Sequence, residues 1–157
     1  MGELNLREAD KVEVTVLVDN YTDLLLLQST EVVKRPRIPP PQAPLAEHGL
    51  SCLLKVSADS EEHVVLVDAG IAATCLFHNA DLLNVDLSQV ESVVLSHGHF
   101  DHFGGLPEFL SEASEGIPLV LHPDAFLQRR LNAPVIGRPV GMPALDEEAL
   151  KETGAML

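Results

Sequence analysis

The sequence predicts a mixed α/β (α+β) fold, and three observations carry that prediction. An alternating strand pattern lies near the start, two apolar runs joined by a short polar link follow, and helical and strand patterns then exchange regularly. A run of antiparallel strands followed by helix–strand alternation is the order expected of one sheet with helices packed on it.

Val12 to Asp19 alternates, with Val12, Val14, Val16 and Val18 on one side, as a strand requires. Asn20 to Asp23 has turn composition, and Leu24 to Leu27 fits either a short second strand or a single helical turn. Lys34 to Pro44 holds five prolines, Pro36, Pro39, Pro40, Pro41 and Pro44. They remove backbone donors and predict an extended loop. Leu50 to Val56 and His63 to Val67 read as two strands joined by the polar stretch Ala58 to Glu62. Val64 to Val67 is apolar throughout, as a buried strand is, and Asp68-Ala69-Gly70 ends it.

Ile71 to Leu83 reads as a helix, with Ala72, Ala73, Leu76, Phe77 and Leu83 as candidate core positions. Asp86 to Val90 has the pattern of a short capped helix, and Val93 to Leu95 that of a buried strand. Gly104-Gly105 precedes a helix running to about Ala113, with Pro107 in its first turn. Ile117 to Leu121 is a further strand, and Pro123-Asp124-Ala125 starts another helix. Asn132 to Pro143 contains Pro134, Pro139 and Pro143, which restrict it to loop or edge strand. Asp146 to Thr153 is helical, and no internal repeat interrupts a single domain over residues 1–157.

Composition bounds the function classes. Hydrophobic residues are 46% and aromatic residues 4%, so the core is aliphatic. Ten Lys and Arg against 24 Asp and Glu give a formal charge of −14. Such a surface repels phosphate backbones and argues against nucleic acid as a partner. Cys52 and Cys75 form no CxxC pair and read as two buried free thiols of a reducing compartment. Met1 to Lys11 is polar, with neither a basic start nor an apolar stretch, and Leu24 to Leu27 is far too short to span a bilayer. The expectation is a cytoplasmic protein that acts on a small molecule without a membrane.

The chemistry concentrates in Ser96-His97-Gly98-His99-Phe100-Asp101-His102. His97, His99 and Asp101 recur at every second position, and in an extended segment such residues point the same way. His102 follows directly and can turn elsewhere. Gly98 is expected to allow a tight bend, and Gly104-Gly105 to let the backbone leave the site without steric penalty. A buried strand before the loop supplies a rigid support. Two imidazoles beside a carboxylate–imidazole pair suit zinc, iron or manganese. Two such half-sites hold ions about 3.5–4 Å apart and activate a water between them.

His97-x-His99-x-Asp101-His102 followed by Gly104-Gly105-Leu106 resembles the signature of the metallo-β-lactamase superfamily, and Leu66-Val67-Asp68-Ala69-Gly70 resembles its earlier strand-end motif. The resemblance implies an αββα sandwich with metal at one edge. It implies His97 and His99 as ligands of a first ion, and Asp101 and His102 as ligands of a second and as the catalytic pair. Asp68 would brace the ligand loop by hydrogen bonds. The implied activity is a hydrolase in which a metal-bound hydroxide attacks an ester, phosphoester or similar bond, with one or two zinc ions. Val16 to Asn20, Ala46 to Ser51 and Leu121 to Phe126 further resemble a subgroup named for a dihydropterin ribofuranosyl-aminobenzene phosphate synthase.

The resemblance covers the first half of a domain built from two similar halves. No histidine follows His122, and the only later aspartates are Asp124 and Asp146, so the usual remaining ligands are not found. The expectations are therefore an N-terminal part of a longer enzyme, a half that pairs with another copy or chain, or a reduced site completed by His48 and His122. At both positions a structural or rim histidine is the safer reading, and Asn20 is carried as a further rim position. His63 and His78 read as ordinary surface or helix residues. An isolated half leaves one sheet face uncovered, which predicts a homo-oligomer or another partner. Two other function classes compete: a non-hydrolytic metal-binding or redox module, and an inactive partial domain. The diiron relatives of the superfamily carry a carboxylate where His99 stands, which tilts the reading toward a hydrolase.

Overall fold

A computed structural model describes residues 6–114 and 116–157. The first five residues of the Met1 to Lys11 segment, read above for leader features, lie outside them. A five-stranded mixed sheet runs in spatial order β1 (Lys11–Val18), β2 (Ser51–Ala58), β3 (Glu61–Val67), β4 (Ser92–Val94) and β5 (Leu119–Val120). β1, β2 and β3 pair antiparallel, while β3, β4 and β5 pair parallel. The antiparallel pair β2–β3 is joined by the two-residue turn Asp59-Ser60, shorter than the polar stretch predicted, with Asp59 at φ 55°. Parallel neighbours need crossovers, which α1 (Ala73–Leu82) and α3 (Leu106–Glu112) supply.

Both helices lie on one face of the sheet. Leu17, Leu53, Val64, Leu66, Val93 and Leu119 meet Leu76, Ala80, Leu106, Phe109 and Leu110 in one aliphatic core. α4 (Glu147–Glu152), capped by the Asp146 carboxylate, adds Leu150 and returns Met156 beside β5. The described residues thus supply one helical layer and one sheet layer of the four-layer sandwich expected.

The other face of the sheet is open. Val12, Val14 and Val16 are 51%, 57% and 50% exposed, and Val120 across the sheet is 57% exposed. Cys52, Leu54, Val56, Val65, Val67 and Val94 lie between them, half-buried. The alternation of Val12, Val14 and Val16 therefore marks this open face and not the core. Val18 does not continue it, because the β1–β2 register shifts between Val16 and Val18 and turns both Leu17 and Val18 inward. Cys52 is likewise only half-buried, a correction to the two buried thiols expected. Burial pushes the Cys75 thiol up to about 11, so it remains a protonated core group.

Several local expectations change. Leu24 to Leu27 is neither strand nor helix but an exposed irregular turn. Pro123–Phe126 is a single 3-10 turn, as is Leu87–Gln89 behind its Asp86 cap. Asn132 to Pro143, expected as loop or edge strand, is both: it holds the end of β6 (Arg130–Ala133), a 3-10 turn and all of β7 (Arg138–Gly141), and β6 and β7 pair as a two-stranded ribbon. Its prolines sit where no continuous ladder needs their donors. Among the described residues no helix is long and apolar enough to cross a membrane.

Candidate metal centre

The loop leaves the C-terminal end of β4 at the sheet edge, between β3 and β5. It is extended only as far as His99. A one-turn helix, α2 (Phe100–Phe103), then begins, so Asp101 and His102 are helical. The alternation rule that places His97 and His99 on one side does not extend to Asp101, whose carboxylate lies instead beside His102 and His48.

Asp68 organises this edge. It is 2% exposed and sits in the left-handed region at φ 57°, which a short polar side chain tolerates. The Ser96 N–H donates to its Oδ1 at 2.8 Å, and the Ser96 hydroxyl donates to its Oδ2 at 2.7 Å. His102 Nδ1 lies 2.7 Å from the same Oδ2. The carboxylate has no proton to give, so Nδ1 of His102 carries one and its Nε2 is left as a lone pair. A similar deduction fixes His97. The Ser96 hydroxyl has spent its proton on Asp68, so at 2.9 Å it accepts from His97 Nδ1. His97 Nε2 is then bare and accepts from His99 Nδ1 at 2.9 Å. One buried carboxylate thus sets two imidazole tautomers, one directly and one through a hydroxyl. Ser96 stands at the head of the loop in sequence, but sequence reasoning assigned it no role; only the folded hydrogen bonds show it.

The rings pack closely, His97 to His99 at 4.6 Å and His97 to His102 at 4.1 Å between centroids. Burial, followed by repulsion from His102 and His99, lowers the His97 pKa below the ordinary imidazole value. Neutral imidazole is the form that binds metals, so the shift favours ligation. The 2.9 Å between His97 Nε2 and His99 Nδ1 is near the separation, about 3.3 Å, of two nitrogens bound to one tetrahedral ion, and an ion there would require the His99 proton to sit on Nε2 instead of Nδ1. Asp101 Oδ2 lies 3.7 Å from His102 Nε2 and 3.5 Å from His48 Nε2. The donor chemistry fits a metal, and the Asp68–His102 bond is the usual way of orienting a metal-binding imidazole. The donors are gathered in pairs and not in a closed cage: among the described residues no three His, Cys, Asp or Glu side chains enclose an ion.

The rim candidates divide. His48 joins the site at Asp101, with its side chain 78% exposed. His122 does not join through its own contacts, since both its hydrogen-bond and ion-pair partners are in Asp124. Asn20 is exposed, and its described hydrogen bond runs from its own N–H to the Asp19 carboxylate. His63 pairs with Glu91 at the surface, and His78 bonds the Ala43 carbonyl. Glu47 was passed over in sequence. Its Oε1 accepts the Ile71 and Ala72 N–H groups at 2.8 and 3.0 Å, just ahead of α1, and so ties the His48 segment to the Asp68–Gly70 turn. Ala69 N–H in turn donates to the His102 carbonyl at 2.8 Å, locking that turn to α2.

The glycines act by closeness. Gly104 and Gly105 have ordinary right-handed conformations, so they do not serve as unusual backbone exits. A Cβ on Gly104 would meet the Ile71 carbonyl oxygen at 2.1 Å, and one on Gly105 the Ala69 carbonyl oxygen at 2.4 Å.

A family model described as "Metallo-beta-lactamase superfamily" matches residues 49–152. A 7,8-dihydropterin-6-methyl-4-(beta-D-ribofuranosyl)-aminobenzene-5'-phosphate synthase from Methanocaldococcus jannaschii is 36% identical over 81 residues, which is 52% of this chain and 28% of that protein. Ribonuclease J 1 from Streptococcus pyogenes serotype M3 is 35% identical, over 40% of this chain and 12% of that protein. The metallo-β-lactamase MIM-1 from Novosphingobium pentaromativorans is 31% identical with a TM-score of 0.35, over 44% of this chain and 24% of that one. The matched parts are about a third or less of each of these relatives. With the family model spanning both the Asp68 turn and the histidine loop, the chain belongs to the metallo-β-lactamase superfamily.

Proposed function

We propose that this chain carries the reacting edge of a metal-dependent hydrolase acting on an ester, phosphoester or similar small-molecule bond. The observation that carries the reading is the Asp68 relay, which leaves Nε2 of both His97 and His102 bare beside His99 and Asp101. His97 and His99 would hold one ion, and Asp101 and His102 a second. Zinc suits this donor set, and iron or manganese is chemically acceptable. When bound, such an ion lowers the pKa of water and polarises the bond under attack. Asp68 and Ser96 keep the rings from turning, and Asp101 contributes the carboxylate on the substrate side. His48, exposed and 3.5 Å from Asp101 Oδ2, is placed to exchange a proton between that carboxylate and solvent. Asp101→Ala is expected to lower turnover of a responsive ester or phosphoester by roughly 10²–10⁴-fold while leaving the thermal melt nearly unchanged. Wild-type turnover in that variant would sink the assignment.

A second reading, a site that closes only with a partner, is favoured by the open donor pairs and by the uncovered apolar sheet face. We propose that another copy, or further sequence of the same fold, covers that face. The 157-residue chain is then expected to run as a dimer or larger species by light scattering. Val14→Lys, on the open face, is expected to shift it to monomer and to lower its melting temperature, since the stabilising association is lost. A wild-type monomer with a cooperative melt would count against the coverage.

A further inference from the structure

One cleft adjoins the candidate metal loop, with a volume of about 260 Å³. That is just under the roughly 300–1,000 Å³ of sites for drug-sized ligands, and suits a molecule of one ring or less. One wall is His48, His99, Phe100 and Asp101; the other is Arg129, Arg130 and Leu131 with Met142 and Pro143, where the β6–β7 ribbon closes. The Met142 N–H donates to the Arg129 carbonyl at 2.9 Å and continues the ribbon into the cleft wall.

Two arginines line this cleft in a chain of net charge −14, and their place there, more than their lack of a carboxylate partner, which Lys34, Arg35, Arg37 and Arg138 share among the described residues, distinguishes them. Arg7, Lys11, Lys55 and Lys151 are each paired to a carboxylate. Among the described residues neither Arg129 nor Arg130 makes a salt bridge, although both line a cleft that contains Asp101. Arg129 is fixed instead by main-chain carbonyls. Its Nη1 donates to Leu127 O at 2.7 Å and Ala125 O at 3.2 Å, and its Nη2 to Asp124 O at 2.9 Å. These bonds hold the guanidinium without cancelling its charge. Arg130, at the first position of β6, is exposed and keeps its fork of donors for another group. The remaining lining, Phe100, Leu131, Met142 and Pro143, is apolar.

We propose that this cleft binds small molecules that combine an oxyanion head with an apolar body. Arg130 grips the head, Arg129 adds fixed positive charge, and the body rests on Phe100, Leu131 and Met142. The inference rests on reading the adjoining loop as the reacting site, since it names what that site receives. Phosphate and carboxylate heads share the chemistry an arginine fork recognises.

The test reads binding and not turnover. The zinc-loaded 157-residue chain is titrated with phenylphosphonate, benzoate and neutral benzyl alcohol, following backbone amides by NMR. Arg130→Gln is compared with Arg138→Gln, which removes the same charge from the same ribbon but away from the cleft. Any hold of zinc on the anion is common to all three proteins. An oxyanion probe is expected to shift the amides of Arg129 to Leu131 and Met142, and to bind about ten-fold more weakly to Arg130→Gln only. Tighter phenylphosphonate identifies a phosphate-type head, and tighter benzoate a carboxylate. Equal affinity in wild type and Arg130→Gln, equal loss in both variants, or benzyl alcohol bound as well as the anions would each overturn the proposal. An Arg130-dependent anion site in a protein with no hydrolase turnover would keep this inference and remove the hydrolase reading.

Discussion

Asp68→Asn is expected to lower zinc affinity about 10–100-fold, the usual cost of losing a group that orients a metal ligand. The carboxylate accepts three donors: the Ser96 N–H, the Ser96 hydroxyl and His102 Nδ1. An amide offers one acceptor oxygen and an NH₂, so at least one donor must then face another donor. If the His102 ring answers by moving its proton to Nε2, it loses the lone pair needed at the site. If the Ser96 hydroxyl turns away, His97 Nδ1 loses its acceptor and that tautomer is freed as well. Because Asp68 is buried, the mismatch also costs stability, about 1–3 kcal/mol. Chelator competition measures the affinity, and ¹⁵N chemical shifts of the rings report the tautomers. Unchanged zinc affinity would show that the relay does not orient the ligands.

Gly98→Ala is expected to destabilise the fold by about 3 kcal/mol, at the upper end for forcing atoms into a packed site. In a chain of this length that is a fall of about 6–12 °C in melting temperature. The added Cβ would lie 2.0 Å from the Ala125 carbonyl oxygen and 2.7 Å from two further Ala125 backbone atoms. No rotamer can relieve a clash between two backbones. Either the 3-10 turn at Pro123–Phe126 moves off the loop, or the loop moves and carries His97 and His99 with it. A melt indistinguishable from wild type, with zinc affinity intact, would show that the contact is far looser than this geometry.

Much of the fold was legible because its signals are local. Period-two alternation in Val12 to Val16, the apolar run Val64 to Val67 and the helical pattern over Ile71 to Leu83 with Ala73 and Leu76 as core each place an element correctly. What local signals cannot report is which side of a strand receives cover. Val12, Val14 and Val16 look like core by pattern, yet α1 and α3 pack on the opposite face. Edge elements were the least legible. Prolines limited the β6–β7 ribbon to a reading of loop or edge strand, and Leu24 to Leu27 is apolar yet exposed and irregular.

By itself the sequence determined the chemistry available at one edge: three imidazoles and a carboxylate within six residues, and a second carboxylate, Asp68, at the end of the earlier strand β3. Residue types and short spacings are properties of the chain before it folds, and so were the helix and strand periods that support them. The tertiary structure alone decided how those groups are used. The Asp68 carboxylate reaches across 28 residues to Ser96 and 34 to His102, and so selects which ring nitrogen is bare. Glu47, by pinning the turn before α1, ties the His48 segment beside Asp101, and the ribbon brings Arg130 to the same cleft. Gly98 proved necessary for the approach of Ala125 and not for a bend. These are contacts between segments distant in sequence, and a protonation state or a close approach exists only once both partners are in place.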